Sequence, residues 1–220
     1  MHKTDERLRR EILDELAWNS RLGDSTIDIT VRNGIVSLTG AVDSYGKKHA
    51  AAEAAHHVLG VTDVANDLEV RLPDQRHTDA EIAQAVRHAL EWNVMLRHSC
   101  IRSTVSKGWV TLEGSVEILR EREDAEAAVR PLVGVRGVLN RILVAPSTID
   151  ADDVSRMIDN VLARRAHREA GGINVHVAHG TVTLTGHVRS WAEKQALLGA
   201  ISHARGIHSV QDRIEIAPDA

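Results

Sequence analysis

Phenylalanine is absent from this chain of 220 residues, tyrosine occurs once and tryptophan four times. Any core must therefore be built from Val, Leu, Ile and Ala. A single cysteine, Cys100, excludes an internal disulfide and a thiolate metal cluster. No cofactor or metal is expected. Long apolar runs are missing too, so no segment reads as a membrane span. The opening residues "MHKTDERLRREILDEL" lack both an apolar h-region and a small-residue cleavage site, and a cytoplasmic location is the expectation. Neither sign of charge dominates: 27 basic against 31 acidic residues leave a net charge of −4. That balance argues against nonspecific attraction to nucleic acid or to anionic lipid, and nucleic acid is not an expected partner.

What the chain does have is repetition. The stretches "VRNGIVSLTG" at 31–40, "VSKGWVTLEG" at 105–114 and "VAHGTVTLTG" at 177–186 share one pattern, at offsets of 74 and 72 residues. Gly34, Gly108 and Gly180 coincide, as do Gly60, Gly134 and Gly206. Leu38, Leu112 and Leu184 keep the same register, and so do Val64, Val138 and Val210. Proline-containing joints at 71–79 and 144–150 separate the copies, giving expected modules at 1–73, 74–146 and 147–220. Their net charges are −3, 0 and −1, so none is a basic module.

Each copy reads as α-β-β-α-β. Leu8, Ile12 and Leu16 form one helical stripe, repeated as Ile82, Val86, Leu90 and as Val154, Ile158, Leu162. Alternating residues 27–31 and 36–42 make a hairpin whose Asn33-Gly34 turn suits type I′, pairing Val31 with Val36 and Ile29 with Leu38. An Ala-rich helix is expected over 44–59, stopping at Gly60 as its αL terminator, before a closing strand. The expected fold class is α+β: three tandem modules, each a small mixed three-stranded sheet with two helices on one face. Modules of about 73 residues have thin cores, so contacts between the chain's own modules are expected.

An x-G-x-V-x-L-x-G hairpin followed by an Ala-rich helix and G-V-x-x-V resembles the BON domain. It stands here as "NGIVSLTG…GVTDV", "KGWVTLEG…GVRGV" and "HGTVTLTG…GIHSV". The resemblance implies a non-enzymatic, stress-related bacterial binding module. Such modules are proposed to engage phospholipid membranes or protein partners, and some take part in potassium sensing. It also implies an alternative, periplasmic location.

The repeated glycines read as turn and cap positions required by backbone geometry. "GVRG" at 134–137 matches a KH-type GxxG, but it sits at a helix-to-strand joint and is not repeated. His176 and His187 point to the polar sheet face about 13 Å apart at ordinary strand rise, with His179 in the turn, so joint metal ligation is not expected. Cys100 reads as a small, at least half-buried residue. No nucleophile elbow, P-loop or HExxH is present, and no enzymatic activity is expected.

The tryptophans are the candidate binding residues. Trp18 and Trp92 occupy equivalent positions, where the third copy has Arg164, and read either as lids on the core or as part of a binding surface. Trp109, beside Lys107, replaces Ile35 and Thr181 on the face expected to be polar, which suits a docking anchor for a membrane, a partner or a neighbouring repeat. Trp191 matches Tyr45 and Leu119 at the start of the second helix, a packing position.

Overall fold

The computed structural model describes residues 3–23, 25–72, 77–94, 96, 101–145, 173–178, 180–204 and 206–217. Cys100, His179 and the first helix expected in the third copy lie outside the described residues.

In the first module, helix α1 (Asp5–Trp18) starts at Thr4, whose hydroxyl accepts from the Arg7 amide. Leu8, Ile12 and Leu16 are its buried stripe. Strands β1 (Thr26–Arg32) and β2 (Ile35–Val42) form the hairpin with Val31 opposite Val36 and Ile29 opposite Leu38, the expected register. Helix α2 (Tyr45–His57) then carries the chain over the sheet, so that β3 (Asp63–Asn66) and β4 (Glu69–Val70) both pair parallel with β2.

The second module repeats this with α3 (Asp79–Trp92), β5 (Ile101–Ser106), β6 (Trp109–Val116), α4 (Leu119–Val129) and β7 (Gly137–Val144). Thr78 and Glu81 form a full capping box at the start of α3. The described part of the third module holds β8 (Asn174–Ala178), β9 (Thr181–Val188), α5 (Trp191–Ser202) and β10 (Ser209–Ile216). In every sheet the hairpin's second strand is central, antiparallel to the first and parallel to the closing strand.

Three separate cores result. Val36, Leu38 and Val42, their equivalents Val110, Leu112 and Val116, and then Val182, Leu184 and Val188 are all buried. The helices supply Ala51, Ala125 and Leu197 above them. Pleating puts alternate strand residues on the opposite, outer face, which is left to Thr, Ser and charged side chains in most places.

Two expectations need correction. The second helix ends at His57, with Val58 already extended, so Gly60 is not its immediate αL terminator. Gly60 belongs to the following turn, where its φ is +105°. The first module's closing strand is also split, because Asp67 and Leu68 interrupt it between β3 and β4. The equivalent strands in the other modules run unbroken over eight residues.

A polar link joins each closing strand to the helix above it. Asn66 donates to the Lys48 carbonyl (2.7 Å) and Asn140 to the Arg122 carbonyl (2.8 Å), while Lys194 donates to the Asp212 carboxylate (2.8 Å). Asn66, Asn140 and Asp212 also accept from the backbone amides two residues on, at Leu68, Ile142 and Ile214. Each thus holds a strand residue and a helix at once.

The modules close on one another through their second helices. Tyr45, the first residue of α2, packs against the core of the second module. Leu119, the first of α4, lines a cleft with Gln195 and Leu198 of α5. Trp191, the first of α5, stacks on His56 of α2 at 4.7 Å and nearly parallel, with His57 edge-on at 5.5 Å. First touches second, second touches third and third touches first: a head-to-tail set of contacts that closes into a ring.

Candidate functional site

Hairpin and helix ends come together at one end of each module. Asn33 and Lys107 both have φ of +51°, followed by Gly34 and Gly108 at +79° and +77°, as a type I′ turn requires. A side chain at Gly108 would sit 2.7 Å from the Gly134 backbone carbonyl, and one at Gly134 would meet Ile82 of α3 at 2.8 Å, so each glycine lets the backbone pack closely against a different neighbour. A carboxylate from the first helix ties the turn down. Asp5 accepts from the amides of Asn33 (3.0 Å) and Gly34 (3.3 Å), and Asp79 from those of Lys107 (2.8 Å) and Gly108 (2.9 Å). Those bonds hold the Asp79 carboxyl below its usual range. The turn amides are thereby occupied by the protein's own carboxylates, and this end of the module is built for stability.

The tryptophans are placed differently. Trp18 is 87% exposed and Trp92 84%. Neither is a lid on the core, which corrects one of the two sequence readings. Trp18 lies two positions beyond Leu16, about 200° round the helix from the buried stripe. The ends of the cores are closed by Leu22 and Leu96, also 74 residues apart, which return through turns after α1 and α3. Val94, next to the end of α3, is exposed as well.

Trp109 is on the outer face of its sheet and 56% exposed. Its ring lies across Gly137, the residue paired with it on β7; a Cβ there would meet the ring at 2.4 Å. The equivalent pairs are Ile35 with Asp63 and Thr181 with Ser209, so the large ring and the bare backbone occur together. Leu139 and Leu143 continue along β7 as exposed side chains. The first module has Ala65 and Glu69 at those positions, and the third has Gln211 and Glu215. The second module therefore presents the apolar sheet face. Lys107, in the adjoining turn, is exposed beside it.

Sequence reasoning missed Leu139, Leu143 and the Asn66, Asn140, Asp212 set. The first two were visible as large apolar residues in register with Ala65 and Gln211 and with Glu69 and Glu215. The last was visible as three short polar side chains at one repeat position of the closing strand.

Of the histidines, His176 pairs across the hairpin with Thr183, and His187 lies 3.4 Å from Glu215. Among the described residues, no group of three or more His, Cys, Asp and Glu side chains is gathered as metal ligands.

Residues 4–71, 78–146 and 150–218 each match the BON domain family. The chain belongs to the BON domain family. BON domains are binding modules, and the family is a non-catalytic one. Over 71 residues the chain is 31% identical to the potassium binding protein Kbp of Escherichia coli O6:H1; the match covers 32% of this chain and about half, 48%, of that relative. The C-terminal domain of CdsD, the structural protein of the type III secretion system of Chlamydia trachomatis, is 14% identical, with 99% of this chain and 100% of that one covered, at a TM-score of 0.27. A likeness that loose carries no argument here. No described helix is long and apolar enough to cross a membrane.

Proposed function

We propose that this BON protein is a non-catalytic docking protein that binds a membrane surface through Trp18 and Trp92. The observation that carries the reading is that these two indoles, at equivalent positions of two modules, are more than four-fifths exposed. An exposed indole suits the membrane–water interface, where its apolar body and polar N–H are both accommodated. Osmotic or envelope stress is the setting the family suggests.

Vesicle co-sedimentation tests this directly. The wild-type chain is expected to pellet with mixed neutral and anionic vesicles, and the Trp18→Ala/Trp92→Ala pair to bind roughly tenfold more weakly. Recovery of the wild type in the supernatant at every lipid composition overturns it. A protein partner on the Trp109, Leu139 and Leu143 face is then the expected docking mode, and Trp109→Ala, which leaves the fold intact, is the variant that weakens it.

A second reading is favoured by the likeness to a potassium binding protein. A cation-binding chain would melt at a higher temperature in potassium than in a matched salt lacking it, because a ligand of the native state adds apparent stability.

A further inference from the structure

Between the first and second modules lies a cleft of about 480 Å³. Its walls come from the turn after α1, the first turns of α2 and the end of α4. Arg21, Lys47 and Arg130 bring three cations to it, against one carboxylate, Glu53. Each of the three has a carboxylate partner, and of those partners only Glu53 lines the cleft. Arg21 reaches Glu53 only at 4.0 Å, Lys47 pairs with Asp43 at 2.7 Å and Arg130 with Glu126 at 3.2 Å. Asp43 and Glu126 are not part of the cleft wall.

The repeat shows that this charge is particular to the first module. Position 47 corresponds to Glu121 and Glu193 in the other two. Both glutamates fold back on the start of their own helix, accepting from the amides of Glu117 (2.9 Å) and Arg189 (3.0 Å). A lysine cannot accept those bonds, so the first module gives up a local cap and gains a cation at the cleft. The substitution changes the charge of one side chain by two units where two modules meet.

We propose that this cleft binds a small phosphate monoester, held by Arg21 and Lys47 of the first module and Arg130 of the second. Two guanidinium forks and an ammonium group suit a tetrahedral dianion, which offers several acceptor oxygens to donors from different directions. The volume exceeds what inorganic phosphate needs, and Ala50, Ala127 and Pro131 supply an apolar wall for the organic part of the ester. His49 also lines the cleft. Burial first, and then Arg130, hold it below its ordinary range, so it stands neutral at pH 7 and can hydrogen-bond to an ester without adding charge. Because its cations come from two modules, an occupied cleft ties those modules together.

The test is calorimetric titration of the full chain with phenyl phosphate, inorganic phosphate and vesicles containing phosphatidic acid. Saturable binding of phenyl phosphate is expected, weaker binding of inorganic phosphate, and at least a tenfold loss of both in Lys47→Glu. That variant installs the residue the other modules already carry, so its melting temperature is expected to match the wild type; Lys47→Arg is expected to keep binding. Should Lys47→Glu melt early, Arg21→Gln, at a side chain 75% exposed, carries the same test. Binding confined to the phosphatidic acid vesicles and lost in Lys47→Glu assigns the same chemistry to a lipid headgroup. No saturable binding of any probe, or equal binding by wild type and Lys47→Glu, overturns the proposal. The Trp18→Ala/Trp92→Ala pair leaves the cleft untouched, so this test and the docking test fail independently.

Discussion

At the scale of single residues, the hairpin turns rest on a carboxylate from another element. Asp79 accepts from two turn amides, and those bonds hold its carboxyl below the ordinary aspartate range. Its contribution to stability is therefore present above the unfolded value, about pH 4, and is lost as the pH falls through the lower folded one. Asp79→Ala is expected to melt several degrees below wild type at pH 7, with the gap narrowing as the pH falls below about 4 in thermal melts at successive pH values. A gap of the same size at pH 7 and throughout the acid range would mean the carboxylate acts in another way. Much at this scale was legible beforehand. Asn33-Gly34 announces its turn through the backbone it needs, and Trp109 stood out as the residue that breaks the repeat. The exposure of Trp18 was legible only from its angle on the helix, because large aromatics are usually buried. Leu22 and Leu96, the residues that close the cores, follow the helical stripe without continuing its period, so periodicity does not find them.

At the scale of elements, each strand-to-helix link is one side chain making two bonds. Asn140 donates to Arg122 on α4 and accepts from Ile142 within β7. Asn140→Ala is expected to destabilise the second module by about 1 to 2 kcal/mol, the usual cost of leaving part-buried hydrogen-bonding groups unpaired. Denaturant unfolding checks it, and Asn140→Asp, which retains the acceptor, is expected to fall between the two. The order and register of the elements could be read from the chain because alternation of period two and a stripe of period 3.6 are local patterns. The link could not, since it joins residues 18 apart through a geometry that periodicity does not describe.

At the scale of the whole molecule, the ring has no counterpart in any local pattern. Tyr45, Leu119 and Trp191 sit at one repeat position and read as packing residues, but their packing is against the next module. The two contacts made by α2 with the other modules each contain a half-buried histidine. His56 lies under Trp191, and burial holds it below the ordinary histidine range, with Asp63 opposing and His57 and Lys194 reinforcing the shift. Its Nδ1 is buried with no hydrogen-bond partner. His49, beside Arg130, is lowered in the same direction, again chiefly by burial. Groups shifted this way stabilise the folded ring above the unfolded value, about pH 6.5, and lose that contribution as the pH falls through their lower folded values. The melting temperature is expected to be flat from pH 8 to 7 and to drop below pH 6.5, with His49→Gln/His56→Gln flattening the decline.

The central claim is that this ring is a docking surface and that its two exposed indoles make the contact. Vesicle co-sedimentation of wild type beside Trp18→Ala/Trp92→Ala measures it most directly. Wild type in the pellet and the double variant mostly in the supernatant is the result predicted; wild type in the supernatant with every lipid, or both proteins pelleting equally, contradicts it.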